Sequence, residues 1–153
     1  MKNLLIVAHA PSPNTRRLAE AALRGAGHED IEQVRAEWKP PLEAGPEDVL
    51  ACDGILLGTT ENLGYMSGAL KDFFDRVYYA VIDQKQGLPC ALYIRAGHDG
   101  TGTRRAIESI VTGLRWNWAQ EPLLCRGDWR DDFVDQVEEL GLYLAAGLDA
   151  GVL

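Results

Sequence analysis

Short apolar runs alternate with longer amphipathic runs along this chain. Five runs have the length and composition of strands, and three of these, Leu4–Ala8, Gly54–Gly58 and Pro89–Ile94, are apolar throughout. Strands that are buried on both faces of a parallel sheet have this unbroken pattern. The other two, Ile31–Ala36 and Ala119–Cys125, are more polar, and the second contains a proline, which edge strands tolerate best. The pattern therefore predicts a sheet with three central strands and two edge strands.

Amphipathic helices are predicted between the strands. The clearest has apolar side chains at i, i+3, i+4, i+7, i+8 and i+11, a spacing that places them on one helix face: Leu70, Phe73, Phe74, Val77, Tyr78 and Val81. The same periodicity predicts helices over 18–26, 107–114 and 133–148, and Glu47–Cys52 is expected to form a short helix. Ser12 is the expected N-cap of the first helix, with Pro13 at its first position.

Strands and helices alternate as βαβαβαβαβα, which predicts one α/β domain over residues 1–153 with a parallel sheet and helices on both faces. With the two polar strands at the edges and right-handed crossovers, the five strands take the order 2-1-3-4-5. This order reverses direction between strands 1 and 3. Ligands of such sheets bind at the carboxyl ends of the strands that flank the reversal, so the loops that follow these strands are the expected ligand site.

Composition narrows the classes of partner. The 153 residues carry 15 basic and 23 acidic side chains, a net charge of −8, which argues against nucleic acid as a ligand and suits a soluble carrier that docks on a basic partner. The three cysteines lie far apart and form no Cys-x-x-Cys pair, so we expect no metal site. The apolar run at residues 4–8 is too short for a signal peptide, and no longer run suggests a membrane span. A reduced, cytoplasmic protein is expected.

The loop after the first strand has the chemistry of an anion site. It supplies the hydroxyls of Ser12 and Thr15, the amide of Asn14 and the free N–H groups of a helix start, which bind phosphate without a lysine. The alternative is that these residues only cap the helix. Residues 97–102 have the glycine spacing of a nucleotide-triphosphate loop, but Thr103 stands where the lysine is required, and no dinucleotide-binding glycine motif follows the first strand.

Two segments resemble a known group of proteins. Thr59–Tyr79, with GYMSGALKDFFDR at its centre, resembles the flavin-ring loop and the following helix of NAD(P)H-dependent FMN reductases and related flavodoxin-like quinone reductases. Ser12–Arg16 resembles the phosphate loop of the same families. The resemblance implies a three-layer flavodoxin-like sandwich that binds FMN noncovalently, with NAD(P)H as the co-substrate.

The resemblance also implies residue roles. Ser12, Asn14 and Thr15 would bind the FMN phosphate, and Tyr65 is the aromatic residue best placed to contact the flavin ring. The other residues that it implies at the ribityl chain and ring are Thr59, Thr60, Glu61, Asn62, Leu63 and Gly64, with Ala96, Gly97 and His98 on the opposite side. Electron-carrier flavodoxins usually stack an aromatic side chain from this opposite loop, whereas this chain has only His98 there.

Charged residues near these loops permit two interpretations each. Arg16-Arg17 and Arg104-Arg105 lie at predicted helix starts, where positive charge opposes the helix dipole. A bound phosphate, either of FMN or of a nicotinamide nucleotide, would offset this cost, or the arginines are simply solvated. His98 and Asp99 suggest a proton relay beside a flavin, or an ordinary loop hydrogen bond.

The resemblance favours an enzyme, an FMN oxidoreductase that passes electrons from NAD(P)H to a quinone, a flavin or a similar small-molecule acceptor. The second function, its alternative, is a non-enzymatic flavodoxin-like electron carrier that serves a redox protein. The third is a serine hydrolase using Ser67 with His98 or His9, which lacks the Gly-x-Ser-x-Gly motif. A homo-oligomer is considered too, because Leu140–Leu153 suits either an interface or closure of the core.

Overall fold

The computed structural model describes residues 1–153 and shows one sheet between two layers of helices. The elements in chain order are β1 (Lys2–Ala8), α1 (Pro13–Ala26), β2 (Val34–Lys39), α2 (Pro46–Ala51), β3 (Gly54–Asn62), β4 (Tyr65–Met66), α3 (Gly68–Val81), β5 (Pro89–Ala96), α4 (Thr101–Leu114), β6 (Asn117–Trp118), β7 (Leu123–Arg126) and α5 (Asp132–Asp149). The sheet order is β2-β1-β3-β5-β6, with β7 also paired to β5, and all these pairs are parallel. The predicted α/β fold and the order of its five main strands are confirmed.

Both edges of the sheet differ in detail from the prediction. β2 begins three residues later than Ile31, at Val34, and alternates between half-buried and exposed residues as an edge strand does. Of the predicted strand over residues 119–125, only residues 123–125 lie in a strand, β7, and a separate short strand, β6, ends before this range at Trp118. Pro122 lies in the gap between them, where its missing N–H costs no ladder hydrogen bond.

One face of the sheet is covered by α3, whose predicted register is confirmed. Its buried side chains are Leu70, Phe73, Phe74, Val77 and Val81, and they pack with the side chains of β3 and β5. On the outer face, the Lys71 Nζ atom lies 2.6 Å from the Asp75 carboxylate. The strong amphipathic pattern of this segment thus places one side of the helix in the core and the other in water.

The other face is covered by α1 and α5, which approach each other closely at two glycines. A Cβ atom on Gly25 would lie 2.0 Å from the Glu138 carbonyl oxygen, and one on Gly141 would lie 2.3 Å from the Ala22 carbonyl oxygen. Only glycine therefore fits at either crossing point. α5 also buries Leu140, Leu144 and Leu148, so the C-terminal helix completes the core of its own chain.

The three cysteines lie in these two cores. Cys52, Cys90 and Cys125 are all free and buried. Burial raises the pKa of each thiol to about 12, so the thiols are protonated and poor nucleophiles at neutral pH. None of the helices is both long and apolar enough to cross a membrane.

Candidate functional site

The loops that follow β1, β3 and β5 meet at the carboxyl edge of the sheet. The His9 amide, at the start of the first loop, donates to the Gly58 carbonyl oxygen at 2.9 Å. The Glu61 carboxylate, beyond the main part of β3, accepts hydrogen bonds from the amides of His98 at 3.2 Å and Gly100 at 2.9 Å. The tertiary structure therefore brings the predicted phosphate loop and the two predicted ring loops into one contiguous region.

The first loop ends in a reciprocal cap at the start of α1. Ser12 is the N-cap and Pro13 is the first helical residue, as the sequence predicted. The Ser12 hydroxyl accepts the Thr15 amide at 3.2 Å, and the Thr15 hydroxyl accepts the Ser12 amide at 2.9 Å. Asn14 is exposed. Its backbone amide lies in the first turn of α1, where amides have no carbonyl partner within the helix. No acidic residue lies in this turn. The donors present are those that an anion such as phosphate requires.

The four arginines near the helix starts do not share one environment. Arg17 Nη1 lies 3.2 Å from the carboxylate that precedes α5, and Arg104 Nε lies 3.4 Å from the Glu108 carboxylate. Arg16 and Arg105 form no ion pair within the chain. One cation at the start of each helix is thus available to an anionic ligand, and the other is paired.

The predicted loop after β3 is a β-hairpin. β3 continues to Asn62, the chain turns through Leu63 and Gly64, and β4 returns antiparallel with Asn62 paired to Tyr65. Both turn residues have positive φ angles, 54° and 77°, as a two-residue type I′ turn requires. The Leu-Gly pair lacks the Asn-Gly or Asp-Gly signature of this turn, which is why the sequence predicted only a loop.

The tip of the hairpin combines backbone strain with an exposed apolar surface. Leu63 is in the left-handed region, which costs a residue with a Cβ atom about 1–2 kcal/mol, and its side chain is fully exposed. Tyr65 is 40% exposed. The core does not need either side chain, so both are free to contact a ligand.

Two hydroxyls at the base of the hairpin form part of the scaffold. Thr59 is buried, and its hydroxyl accepts the Ser67 amide at 3.0 Å and donates to the Thr60 carbonyl oxygen at 2.9 Å. The buried Ser67 hydroxyl caps α3 by accepting the Leu70 amide at 3.2 Å. No histidine is hydrogen-bonded to Ser67, so nothing in this geometry supports the hydrolase alternative.

The side chains of Thr60 and Asn62 lie near the end of β3 and hydrogen-bond to each other at 2.8 Å. Neither is buried. Their polar atoms therefore remain available at the edge where the resemblance places a ribityl chain.

The loop after β5 presents mostly backbone. Ala96 is buried, whereas Gly97 and His98 are exposed. The Asp99 carboxylate accepts the Thr101 amide at 3.0 Å, and this backbone hydrogen bond lowers the pKa of the carboxyl group. Asp99 thus caps the start of α4 and forms no hydrogen bond with the His98 side chain, so the suggested relay is not assembled.

Two contacts that support the site were not predicted from the sequence. Trp38 Nε1 on β2 donates to the Ala8 carbonyl oxygen at 3.1 Å, directly before the phosphate loop. Gly102 lies against the hairpin, and a Cβ atom there would approach the Gly64 carbonyl oxygen to 2.4 Å. Both contacts join segments that are distant in sequence, so no local pattern signals them.

Comparison with known proteins agrees with this architecture. No family model matches the chain. A flavodoxin from Aquifex aeolicus (strain VF5) is 32% identical over 114 residues, which are 74% of this chain. The match spans only 60% of that flavodoxin's length.

Solved structures match over the whole domain. A flavodoxin from the domain Archaea superposes with a TM-score of 0.79 at 18% identity and covers 95% of this chain and 98% of its own. An oxidoreductase from Corynebacterium diphtheriae superposes with a TM-score of 0.70 at 16% identity, covering 95% of this chain and 96% of its own. The chain therefore has the flavodoxin-like fold, and the expectation of that fold is confirmed.

Proposed function

We propose that the chain binds FMN noncovalently at the carboxyl edge of its sheet and works as a flavodoxin-like electron carrier. The observation that carries the proposal is the start of α1, a capped, carboxylate-free turn with an unpartnered Asn14 amide. This turn follows the end of β1 at the carboxyl edge of the sheet, where the His9 amide is bonded to Gly58 of β3. The flavodoxin from Aquifex aeolicus supports it, because its 32% identity to this chain extends over 114 residues.

The donor set fits the cofactor. Ser12, Asn14 and the dipole of α1 would hold the phosphate, with Arg16 as the nearby unpaired cation. The exposed side chains of Leu63 and Tyr65 would contact the flavin ring. When bound, FMN supplies the electron-transfer chemistry, while the chain orients it and excludes water from part of it. A strained, exposed leucine is more consistent with ligand contact than with folding.

A test of the phosphate site compares FMN with riboflavin, which lacks the phosphate. We expect wild-type protein to bind FMN stoichiometrically and riboflavin much more weakly. Thr15 is buried, and its hydroxyl binds the Ser12 amide and hydroxyl, so it positions Ser12. Each hydrogen bond to a charged group contributes about 1.5–3 kcal/mol, so Ser12→Ala combined with Thr15→Ala, which removes the Ser12 donor and its support, should weaken FMN binding roughly 100-fold and riboflavin binding far less. Titration calorimetry gives both affinities, and equal binding of the two ligands by wild-type protein would refute the proposed site.

A second candidate function is reduction of the bound flavin directly by NAD(P)H, with transfer to a small-molecule acceptor. One observation favours it: residues 97–100 include no Phe, Tyr or Trp, and His98 is the only ring on their side of the site. A nicotinamide must stack on an open flavin face for hydride transfer, because orientation supplies much of the rate. The unpaired Arg105 would then contact a nucleotide phosphate.

Stopped-flow mixing separates the carrier from the enzyme. FMN-loaded protein is mixed anaerobically with NADH or NADPH, and flavin absorbance at about 450 nm is followed. As a carrier, the protein should keep its absorbance for many minutes and lose it when a flavodoxin reductase is added. Bleaching within seconds, with a nicotinamide KM that rises in Arg105→Glu but not in the control Arg35→Glu, would favour the enzyme instead.

A further inference from the structure

Glu61 makes a contact that the proposed binding role does not explain. Both oxygens of its carboxylate are occupied, one by the His98 amide at 3.2 Å and the other by the Gly100 amide at 2.9 Å. These two hydrogen bonds use about half of the acceptor positions of the carboxylate and fix its orientation toward the neighbouring loop. The interaction joins the hairpin after β3 to the loop before α4.

The N-cap residue of α4 makes no side-chain cap, so the carboxylates at this helix start come from its neighbours: Asp99 accepts the Thr101 amide, and Glu61 supplies a second carboxylate. Gly100 is the N-cap, has a φ of +69° and carries no side chain that can accept a hydrogen bond. No acidic residue lies in the first turn, whereas Arg104 and Arg105 follow it. The negative charge of Glu61 at this helix start is therefore electrostatically favourable.

A second contact holds the tip of the same hairpin. Gly102, in the first turn of α4, lies so close to the Gly64 carbonyl oxygen that a Cβ atom would approach it to 2.4 Å. Glu61 lies on the β3 strand of the hairpin, paired with Met66, and Gly64 lies in the turn. The hairpin is thus fixed against α4 at two points, by a hydrogen-bonded carboxylate and by close backbone packing.

We infer that Glu61 is a positioning residue that latches the hairpin to the start of α4 and so sets the gap in which the flavin ring binds. This inference rests on the proposed function for its ligand. Glu61 acts through the hairpin, holding Leu63 and Tyr65 in place, and does not itself contact the ring. The role differs from the one that the sequence resemblance implies for Glu61, which is direct contact with the flavin or its ribityl chain.

Hydrogen exchange of the apoprotein tests the latch without any flavin. The His98 and Gly100 amides should exchange about 10-fold faster in Glu61→Gln than in wild-type protein, because a charge-assisted hydrogen bond is weakened. Gly102→Ala should have a similar effect, since its methyl group displaces the hairpin while alanine favours the helix. Glu20→Gln, an exposed glutamate on α1, is the matched control and should leave both amides unchanged. Unaltered exchange in Glu61→Gln would overturn the inference.

FMN affinity then separates positioning from direct contact. Glu61→Gln and Gly102→Ala should each weaken FMN binding roughly 10-fold, and the double variant should be little worse than either one, because each breaks the same latch. Additive losses would show that Glu61 contacts the flavin and would overturn the inference. If wild-type protein bound no FMN, the proposed function and the flavin role of Glu61 would both fail, and the exchange data would still decide whether the latch exists.

Discussion

Leu63 is a residue whose conformation and exposure do not stabilise the fold. It lies in the left-handed region of backbone conformation and exposes its whole side chain to solvent. Both features cost stability, since a glycine or asparagine tolerates this conformation better. Residues that are strained in this way concentrate at ligand sites, and Leu63 lies at the tip of the hairpin to which we assign flavin contact.

Leu63→Asn should therefore separate stability from binding. We expect the apoprotein to unfold at a temperature equal to or higher than that of the wild type, because strain is relieved and no core contact is lost. FMN affinity should fall, because an apolar ring contact is removed.

Thermal denaturation of the apoprotein and FMN titration measure the two effects. The core substitution Leu70→Ala is the contrasting control, which should lower the melting temperature. A Leu63→Asn variant that lost stability and kept its FMN affinity would contradict the assignment.

At the scale of elements, α3 is defined by its amphipathic pattern. Phe73 is fully buried against the sheet, whereas Tyr79 on the same helix is 84% exposed. The periodicity of the sequence predicted this difference, because the apolar face was long enough to fix the helix register. The strands at the sheet edges were located less well, since a polar edge strand has a weaker pattern and its ends depend on its neighbours.

The two aromatic residues of α3 provide a matched pair of substitutions. Phe73→Ala should cost about 3–5 kcal/mol of the free energy of unfolding, as large-to-small changes in a core do. Tyr79→Ala removes a similar ring from the surface and should change it by less than about 0.5 kcal/mol. Urea denaturation of the apoproteins gives both values, and equal effects would mean that the helix register is wrong.

The hairpin of β3 and β4 shows that tertiary contacts can fix the conformation of a short element. Its Leu-Gly turn has a weak local preference for the type I′ conformation, yet the contacts of Glu61 with the α4 loop and of Gly64 with Gly102 hold it there. Tertiary contacts can override the low propensity of a short segment because each contributes as much as the local preference costs.

The whole molecule carries a net charge of −8. Such a field raises the encounter rate with a basic partner and leaves the encounter with a neutral small molecule nearly unchanged. Salt screens the field over about 8–10 Å at ionic strengths between 0.1 and 0.15 M. The dependence of electron transfer on ionic strength therefore reports the kind of partner that the proposed carrier meets.

If the chain is a carrier with a basic protein partner, electron transfer from its reduced, FMN-loaded form to cytochrome c, a basic probe protein, should slow about 10-fold or more between 10 and 300 mM salt. Transfer to a neutral quinone should change little over the same range, which makes the quinone the internal control. Stopped-flow measurement gives both rates. A rate to cytochrome c that does not respond to salt would argue against electrostatic docking.

The sequence by itself determined the fold class, the strand order and the register of α3, because buried parallel strands and amphipathic helices have patterns that depend only on neighbouring residues. It also located the Ser12 cap and named the residues of three loops. Only the tertiary structure decided which of those residues face outward. Thr59 and Ser67 belong to a buried cap network, and Glu61 is bound to backbone amides 37 and 39 residues away. Such contacts join residues that are far apart in the sequence, so no local sequence pattern can predict them.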